Sequence, residues 1–226
     1  MNAEAQILKP ANHVRVVTAT SLFDGHDAAI NIIRRILQDT GVEVIHLGHN
    51  RSVSEIVQAA IDEDVQGIAV SCYQGGHVEF FKYIVDLLKE NGASHIRVFG
   101  GGGGVIVPEE IGELEAYGVT KIYSPDDGVR MGLQGMINHL VGLIDFPALR
   151  AGALDYAKLS SRNHAVVAAF ITAAECAANG GGVSRDEMMA KIRALPRKEK
   201  VPVIGFTGTG GAGKSSLIDE MIVRLL

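Results

Sequence analysis

The chain has 226 residues, 47% of them hydrophobic and 21% charged, with a formal net charge of −5. That length holds one full domain and part of another around a sizeable core, and the acidic balance argues against a general nucleic-acid binder. No apolar run reaches the roughly 18–20 residues that span a bilayer, MNAEAQILKP has no hydrophobic signal region, and the two cysteines, Cys72 and Cys176, form no CxxC pair, so a reduced cytoplasmic protein is the default.

Strand-like and helical runs then alternate in chain order. Residues 14–20 (VRVVTAT) read as a strand, followed by a helical pattern over 28–38. Strands at 42–48, 67–73 and 96–101 follow, with a short fifth at 121–124. The first four are rich in β-branched and apolar residues, as strands buried on both faces should be. Helices are predicted at 54–63, with Ser54 as N-cap, and at 78–90. Two more are predicted at 108–117, with Pro108 in the first turn, and at 128–143. Right-handed βα crossovers turn this alternation into α/β architecture: a doubly wound, five-stranded parallel sheet with helices on both faces. Ligands of such sheets bind beyond the carboxyl ends of the strands.

The composition changes near residue 145. IDFPALRAGALDYAKLS reads as a connector with some helix. NHAVVAAFITAAECAANG has helical spacing and closes on Asn179 and Gly180, a helix stop. SRDEMMAKIRAL opens with a Ser/Asp/Glu start signal and predicts another helix. PRKEKVP is a charged, proline-bounded linker. The last segment, VIGFTGTGGAGKSSLIDEMIVRLL, reads as strand, glycine loop and helix.

That loop carries a specific local motif. Gly208, Gly213, Lys214 and Ser215 match G-x-x-x-x-G-K-[ST] within GTGGAGKS. Gly210, Gly211, Ala212 and Ser216 complete the segment whose backbone N–H groups would curl around phosphate oxygens. Lys214 would reach the outer phosphates, Ser215 would coordinate Mg²⁺, and the helix N-terminus would add a favourable dipole. The same letters satisfy GxGxxG, but that dinucleotide reading leaves Lys214 and Ser215 unexplained. No NKxD-type guanine motif occurs earlier. A phosphate-loop domain needs more strands and a second Mg²⁺-binding acid, so the chain is expected to be a fragment of a longer polypeptide.

Asp24 and His26 lie two residues apart on the loop after the first strand. Their residue types admit three accounts: a solvated polar loop, a catalytic pair in which Asp24 orients the imidazole, or a metal ligand backed by a carboxylate. A hydrolytic triad would want a G-x-S-x-G elbow, which is absent. His46 and His49 do not have a standard zinc spacing and read as loop residues. At the same sheet edge lie Ser71, Cys72 and Tyr73 after the third strand, and glycines 100–104 after the fourth.

Taken together, these loops resemble the cobalamin-binding domains of adenosylcobalamin-dependent mutases. DGHDAA, with Asp24, Gly25, His26 and Asp27, resembles the DxHxxG motif. Ser71, Cys72 and Tyr73 sit where that family has SxL, and Gly101 and Gly102 sit where it has a glycine pair. The resemblance implies a flavodoxin-like fold in which His26 ligates cobalt from below and Asp24 holds its other ring nitrogen. It also implies that Ser71 meets the buried benzimidazole and that Gly101 and Gly102 admit the nucleotide tail. Ser124, in SPDDG, is similar to a family loop near that tail. Ala29 in place of the motif's glycine and Tyr73 in place of its leucine imply a different helix start and slot wall.

NHAVVAAFITAAE resembles the N-terminal helices of the GTPase chaperones that serve methylmalonyl-CoA mutase. The domain order resembles that of the fused acyl-CoA mutases that interconvert isobutyryl-CoA and n-butyryl-CoA by radical rearrangement. The implied organisation is a cobalamin-binding domain at 1–144, helices of the GTPase domain at 145–200 and the opening of that domain at 201–226. The implied cofactors are adenosylcobalamin and GTP with Mg²⁺. The implied partners are an acyl-CoA bound by a barrel domain of the same polypeptide, in a homodimer, with no nucleic acid and no membrane. A cobalamin carrier or sensor with a regulatory nucleotide domain is the alternative.

Overall fold

The computed structural model describes residues 6–181, 183–196 and 202–225. Five parallel strands form one sheet in the order β2-β1-β3-β4-β5: β1 (Arg15–Ser21), β2 (Glu43–Arg51), β3 (Gly67–Ser71), β4 (Arg97–Gly101) and β5 (Lys121–Tyr123). This is the flavodoxin-like arrangement, with the strand order reversing between β1 and β3. Every residue of β1 and β3 is buried, including the polar Arg15, Thr18, Thr20 and Ser21 of β1.

Helices cover both faces. α1 (Ala28–Thr40) and α5 (Pro125–Ile144) pack over one, where Leu37, Ile137, Leu140 and Ile144 meet Val16, Ala69 and Phe99. α2 (Val53–Asp62), α3 (His77–Glu90) and α4 (Pro108–Tyr117) cover the other, with Ile56, Phe81, Ile84 and Leu114 against Val17, Ile68 and Ile122. The expected N-cap Ser54 lies inside α2. Ser52 caps it instead: its hydroxyl accepts from the Glu55 amide, and the Glu55 carboxylate accepts from the Ser52 amide. That reciprocal box contributes about 1 kcal/mol, and Ser54 has no such acid three residues on.

α5 starts three residues before its expected position. Ser124 accepts from the Asp127 amide, Asp127 accepts from the Ser124 amide, and Pro125 fits the first turn. The helix is interrupted at Gly132, whose φ of 66° and ψ of 170° suit glycine alone.

Beyond α5, a 3₁₀ turn at Tyr156–Lys158 precedes α6 (His164–Ala178) and α7 (Arg185–Ala194). Asn163 and Ser184 cap these two helices. α6 is fastened to the amino-terminal edge of the sheet. There the buried Arg15 guanidinium bonds Glu43 of β2 and both Thr172 and Glu175 of α6. Arg150 reaches Asp64 at 3.1 Å and His95 at 2.9 Å. Burial, reinforced by the Arg150 charge, depresses the His95 pKa to about 4, so the imidazole accepts from the guanidinium.

Most of the charged linker, residues 197–201, lies outside the described residues. The strand expected before the glycine loop does not form over the described residues 202–209, and Val203 and Ile204 are exposed. An apolar run becomes a strand only when a neighbour completes its hydrogen-bond ladder, and the sheet pairs it with none of the five strands. The helix after the loop does form, as α8 (Lys214–Leu225).

Candidate functional site

The carboxyl-terminal edge of β1, β3, β4 and β5 gathers the singled-out residues of the first domain. After β1 the chain turns through Leu22 and Phe23 into Asp24, which is 1% exposed. Asp24 is buried because its carboxylate faces inward to three donors. Oδ1 accepts from the His26 amide at 2.9 Å and from His26 Nδ1 at 2.7 Å, while Oδ2 accepts from the Tyr73 amide at 2.5 Å. Burial raises the Asp24 pKa, but the hydrogen bonds from Tyr73 and His26 outweigh it and hold the group below its ordinary value of 3.8. Asp24 is therefore a carboxylate at neutral pH and cannot donate. In the neutral ring the proton therefore sits on His26 Nδ1, and Nε2 carries the lone pair.

The His26 side chain is 69% exposed. Its ring lies 5.5 Å from that of Tyr73, tilted by 41°. A buried, ionised carboxylate and an exposed imidazole with one basic nitrogen form an oriented ligand. Gly25 and Asp27 flank it on the surface. Asp27 sits at the N-cap position of α1 without a side-chain capping bond.

Beside this loop lies a cavity of about 300 Å³ between the sheet edge and helices α1 and α5. Ser71, Tyr73, Tyr123 and Ser124 supply its polar groups. Ile30, Phe99, Met136 and Ile137 supply much of its apolar wall, and glycines 100–103 form its floor. The glycines are not equivalent. A Cβ on Gly100 would lie 2.3 Å from the Phe81 ring, and one on Gly102 would lie 2.0 Å from the Cys72 carbonyl oxygen. The chain's own packing therefore requires glycine at both. A Cβ on Gly101 would meet only the Tyr123 carbonyl oxygen, at an ordinary 3.4 Å. Packing does not require glycine there, and its bare backbone leaves room in the cavity.

The structure thus brings together Asp24, His26, Ser71, Tyr73, Gly101, Gly102 and Ser124. Leu133, Met136, Ile137 and Leu140 of the wall escaped the site reading, although their i, i+3, i+4, i+7 spacing marks one helix face. His46 bonds Thr18 at 2.9 Å, and among the described residues no cluster of three or more His, Cys, Asp or Glu could hold a metal ion. A lone imidazole is a poor trap for a bare ion. It suits a metal whose other positions are already filled by its own organic ligand.

The phosphate-loop residues are not brought to this site by any described hydrogen bond. Gly208, Gly210, Gly211, Ala212, Gly213, Ser215 and Ser216 are exposed. Lys214 folds back on its own loop, donating to the carbonyls of Gly208 and Thr209 at 2.8 Å each.

The B12 binding domain family matches residues 14–128. The chain is 58% identical over 226 residues to a fused isobutyryl-CoA mutase of Geobacillus kaustophilus, covering 98% of this chain and 21% of that protein. It is 35% identical over 113 residues to the 2-hydroxyisobutanoyl-CoA mutase small subunit of Aquincola tertiaricarbonis, covering 50% of this chain and 82% of that one. A cobalamin-binding protein from Desulfitobacterium hafniense has a similar solved structure, with a TM-score of 0.49 and 22% identity over 58% of this chain and 60% of that one. The chain spans about a fifth of the length of the fused mutases it matches.

Proposed function

Because the chain belongs to the B12 binding domain family, we propose that it is the adenosylcobalamin-binding part of a fused isobutyryl-CoA mutase. The observation that carries this is the oriented Asp24–His26 couple standing beside an apolar cavity at one sheet edge. The residues fit the group. His26 Nε2 would ligate cobalt, and Asp24 would fix the tautomer and raise the basicity of the ring. The cavity would hold the cofactor's dimethylbenzimidazole beside Ser71 and Tyr73. Gly101 and Gly102 would admit the nucleotide tail, and Ser124, at the start of α5, would stand near it.

When bound, the cofactor supplies the radical chemistry that rearranges isobutyryl-CoA to n-butyryl-CoA. This chain's own residues bind and orient it. The acyl-CoA binds to a barrel domain of the same polypeptide, and the full protein is a homodimer. It works in a reducing cytoplasm, in keeping with two free cysteines. No described helix is long and apolar enough to cross a membrane.

The test is electron paramagnetic resonance of the chain loaded with cob(II)alamin. Nitrogen hyperfine coupling should come from protein imidazole and change when histidine is ¹⁵N-labelled. A spectrum indifferent to that label would sink the proposal.

Residues 201–226 are the opening of a GTPase domain that gates cofactor loading. The segment 145–200 supplies its first helices. Lys214 serves the outer phosphates of GTP, Ser215 serves Mg²⁺, and Gly208, Gly210, Gly211, Ala212, Gly213 and Ser216 complete the cradle. A phosphate must first displace the Gly208 and Thr209 carbonyls from Lys214, and the segment before the loop is not held in a sheet. The isolated chain should therefore bind GTP weakly and show no hydrolysis in a phosphate-release assay. Robust hydrolysis that disappears in Lys214→Ala would contradict this.

A further inference from the structure

The loop that carries His26 begins with a strained residue. Phe23 has a left-handed φ of 63° and is 80% exposed. A bulky aromatic adopts that conformation only when its surroundings impose it. Two side chains, one from the end of β2 and one from the loop after β3, do so. The Phe23 amide donates to Asn50 Oδ1 at 2.7 Å, and the Phe23 carbonyl accepts from Gln74 Nε2 at 2.7 Å. Both assignments are forced by chemistry, since an N–H only donates and a carbonyl only accepts.

Each clamp is itself built. Asn50, at the end of β2, also has a positive φ, 58°, where asparagine is among the few tolerated side chains. Gln74 is held through its carbonyl, which faces Nδ1 of the buried His77 at 3.2 Å. The other nitrogen of His77 bonds Glu110 at the start of α4, at 2.8 Å. A line of contacts thus runs from α4 through His77 and Gln74 to Phe23, the neighbour of Asp24. The β3 loop touches the His26 arm twice: through Gln74, and through the Tyr73 amide on the Asp24 carboxylate.

We propose that Asn50 and Gln74 are positioning residues for the cobalt-binding arm. Together they hold the Phe23 peptide in the left-handed turn that sends the Asp24 carboxylate inward and the His26 imidazole outward. Without the clamp, Phe23 relaxes toward an extended conformation, Asp24 loses its aim on Tyr73, and His26 loses its fixed tautomer. The proposal rests on His26 being the cobalt ligand, but half of its test does not involve cobalt.

Asn50→Gly keeps the left-handed backbone and removes the acceptor. Asn50→Asp keeps both. Gln74→Met keeps the shape and removes the donor. In the cofactor-free, full-length chain, side-chain ¹⁵N resonances should show His26 as the Nδ1–H tautomer in the wild type and in Asn50→Asp. Asn50→Gly and Gln74→Met should populate the Nε2–H form, with faster hydrogen exchange at the Tyr73 amide. With cob(II)alamin, the same two variants should bind about 10-fold more weakly, the lower end of what loss of a ligand's outer partner costs. Asn50→Asp should stay within about twofold of wild type by the same reasoning. Unfolding curves establish that each variant is folded. An unchanged His26 tautomer in folded Asn50→Gly and Gln74→Met, or equal losses in Asn50→Gly and Asn50→Asp, would overturn the clamp. A wild-type chain without imidazole hyperfine coupling would instead overturn the cobalt reading beneath it.

Discussion

Replacing His26 by alanine is expected to abolish imidazole ligation of cobalt. It should also weaken cobalamin binding by more than the roughly 10–100-fold that removal of an outer hydrogen-bond partner costs. The fold should barely notice. The side chain is 69% exposed and belongs to none of the packed clusters, so the loss is limited to its one hydrogen bond to Asp24, about 1 kcal/mol. Asp24 keeps two of its three donors in this variant, because the His26 and Tyr73 amides are backbone groups. Affinity and stability therefore separate at this residue. Spectral titration with cob(II)alamin reads the first and urea unfolding reads the second. Wild-type affinity in a folded His26→Ala chain would remove the imidazole from the cobalt site altogether.

Much of the fold was legible because burial on both faces leaves a strong mark on sequence. β3, and β1 after Arg15, are unbroken runs of small and β-branched residues, and their positions were readable to within one or two residues. The motif around Asp24 and His26 was legible because local spacing encodes the contact: two residues apart is enough for Asp24 Oδ1 to take both the amide and the ring of His26. What could not be read is what the sheet edge assembles from afar. Asn50 and Gln74 converge on Phe23 from 27 and 51 residues away, and neither has a local pattern that announces it. The cavity wall joins Phe99 of β4 to Met136 of α5 only because the chain crosses over the sheet.

Two misreadings were avoidable. Ser52 and Ser54 both lie at the start of α2, but only Ser52 has glutamate three residues on, the signature of a capping box. Ser124 has Asp127 in the same relation, which places the start of α5 at Pro125. The strand expected before the glycine loop failed for a different reason. Its letters are strand-like, but strand identity belongs to a pair of segments, and none of the five strands pairs with it.

Removing the Asp24 carboxylate should cost stability as well as affinity. Its two oxygens serve three donors with almost no access to water. Asp24→Ala strands the Tyr73 and His26 amides, and leaving such donors without an acceptor costs about 1–3 kcal/mol each when buried. A total near 3 kcal/mol is expected, since both bonds are only part-buried. Asp24→Asn should be almost as damaging. An amide has one oxygen where the carboxylate has two, so its NH₂ must face either the Tyr73 amide or the His26 amide, donor against donor. The two forms differ in their response to acid. The folded-state pKa of Asp24 lies below the ordinary 3.8, so the stability that ionisation contributes is fully present above that value and is lost as pH falls through the folded pKa. Urea unfolding from about pH 5 toward about pH 2 should therefore bring wild type down toward Asp24→Asn, and the gap between them should close. A gap that stays constant over that range would mean that the carboxylate acts through shape alone, and that its charge does not hold the His26 ring in place.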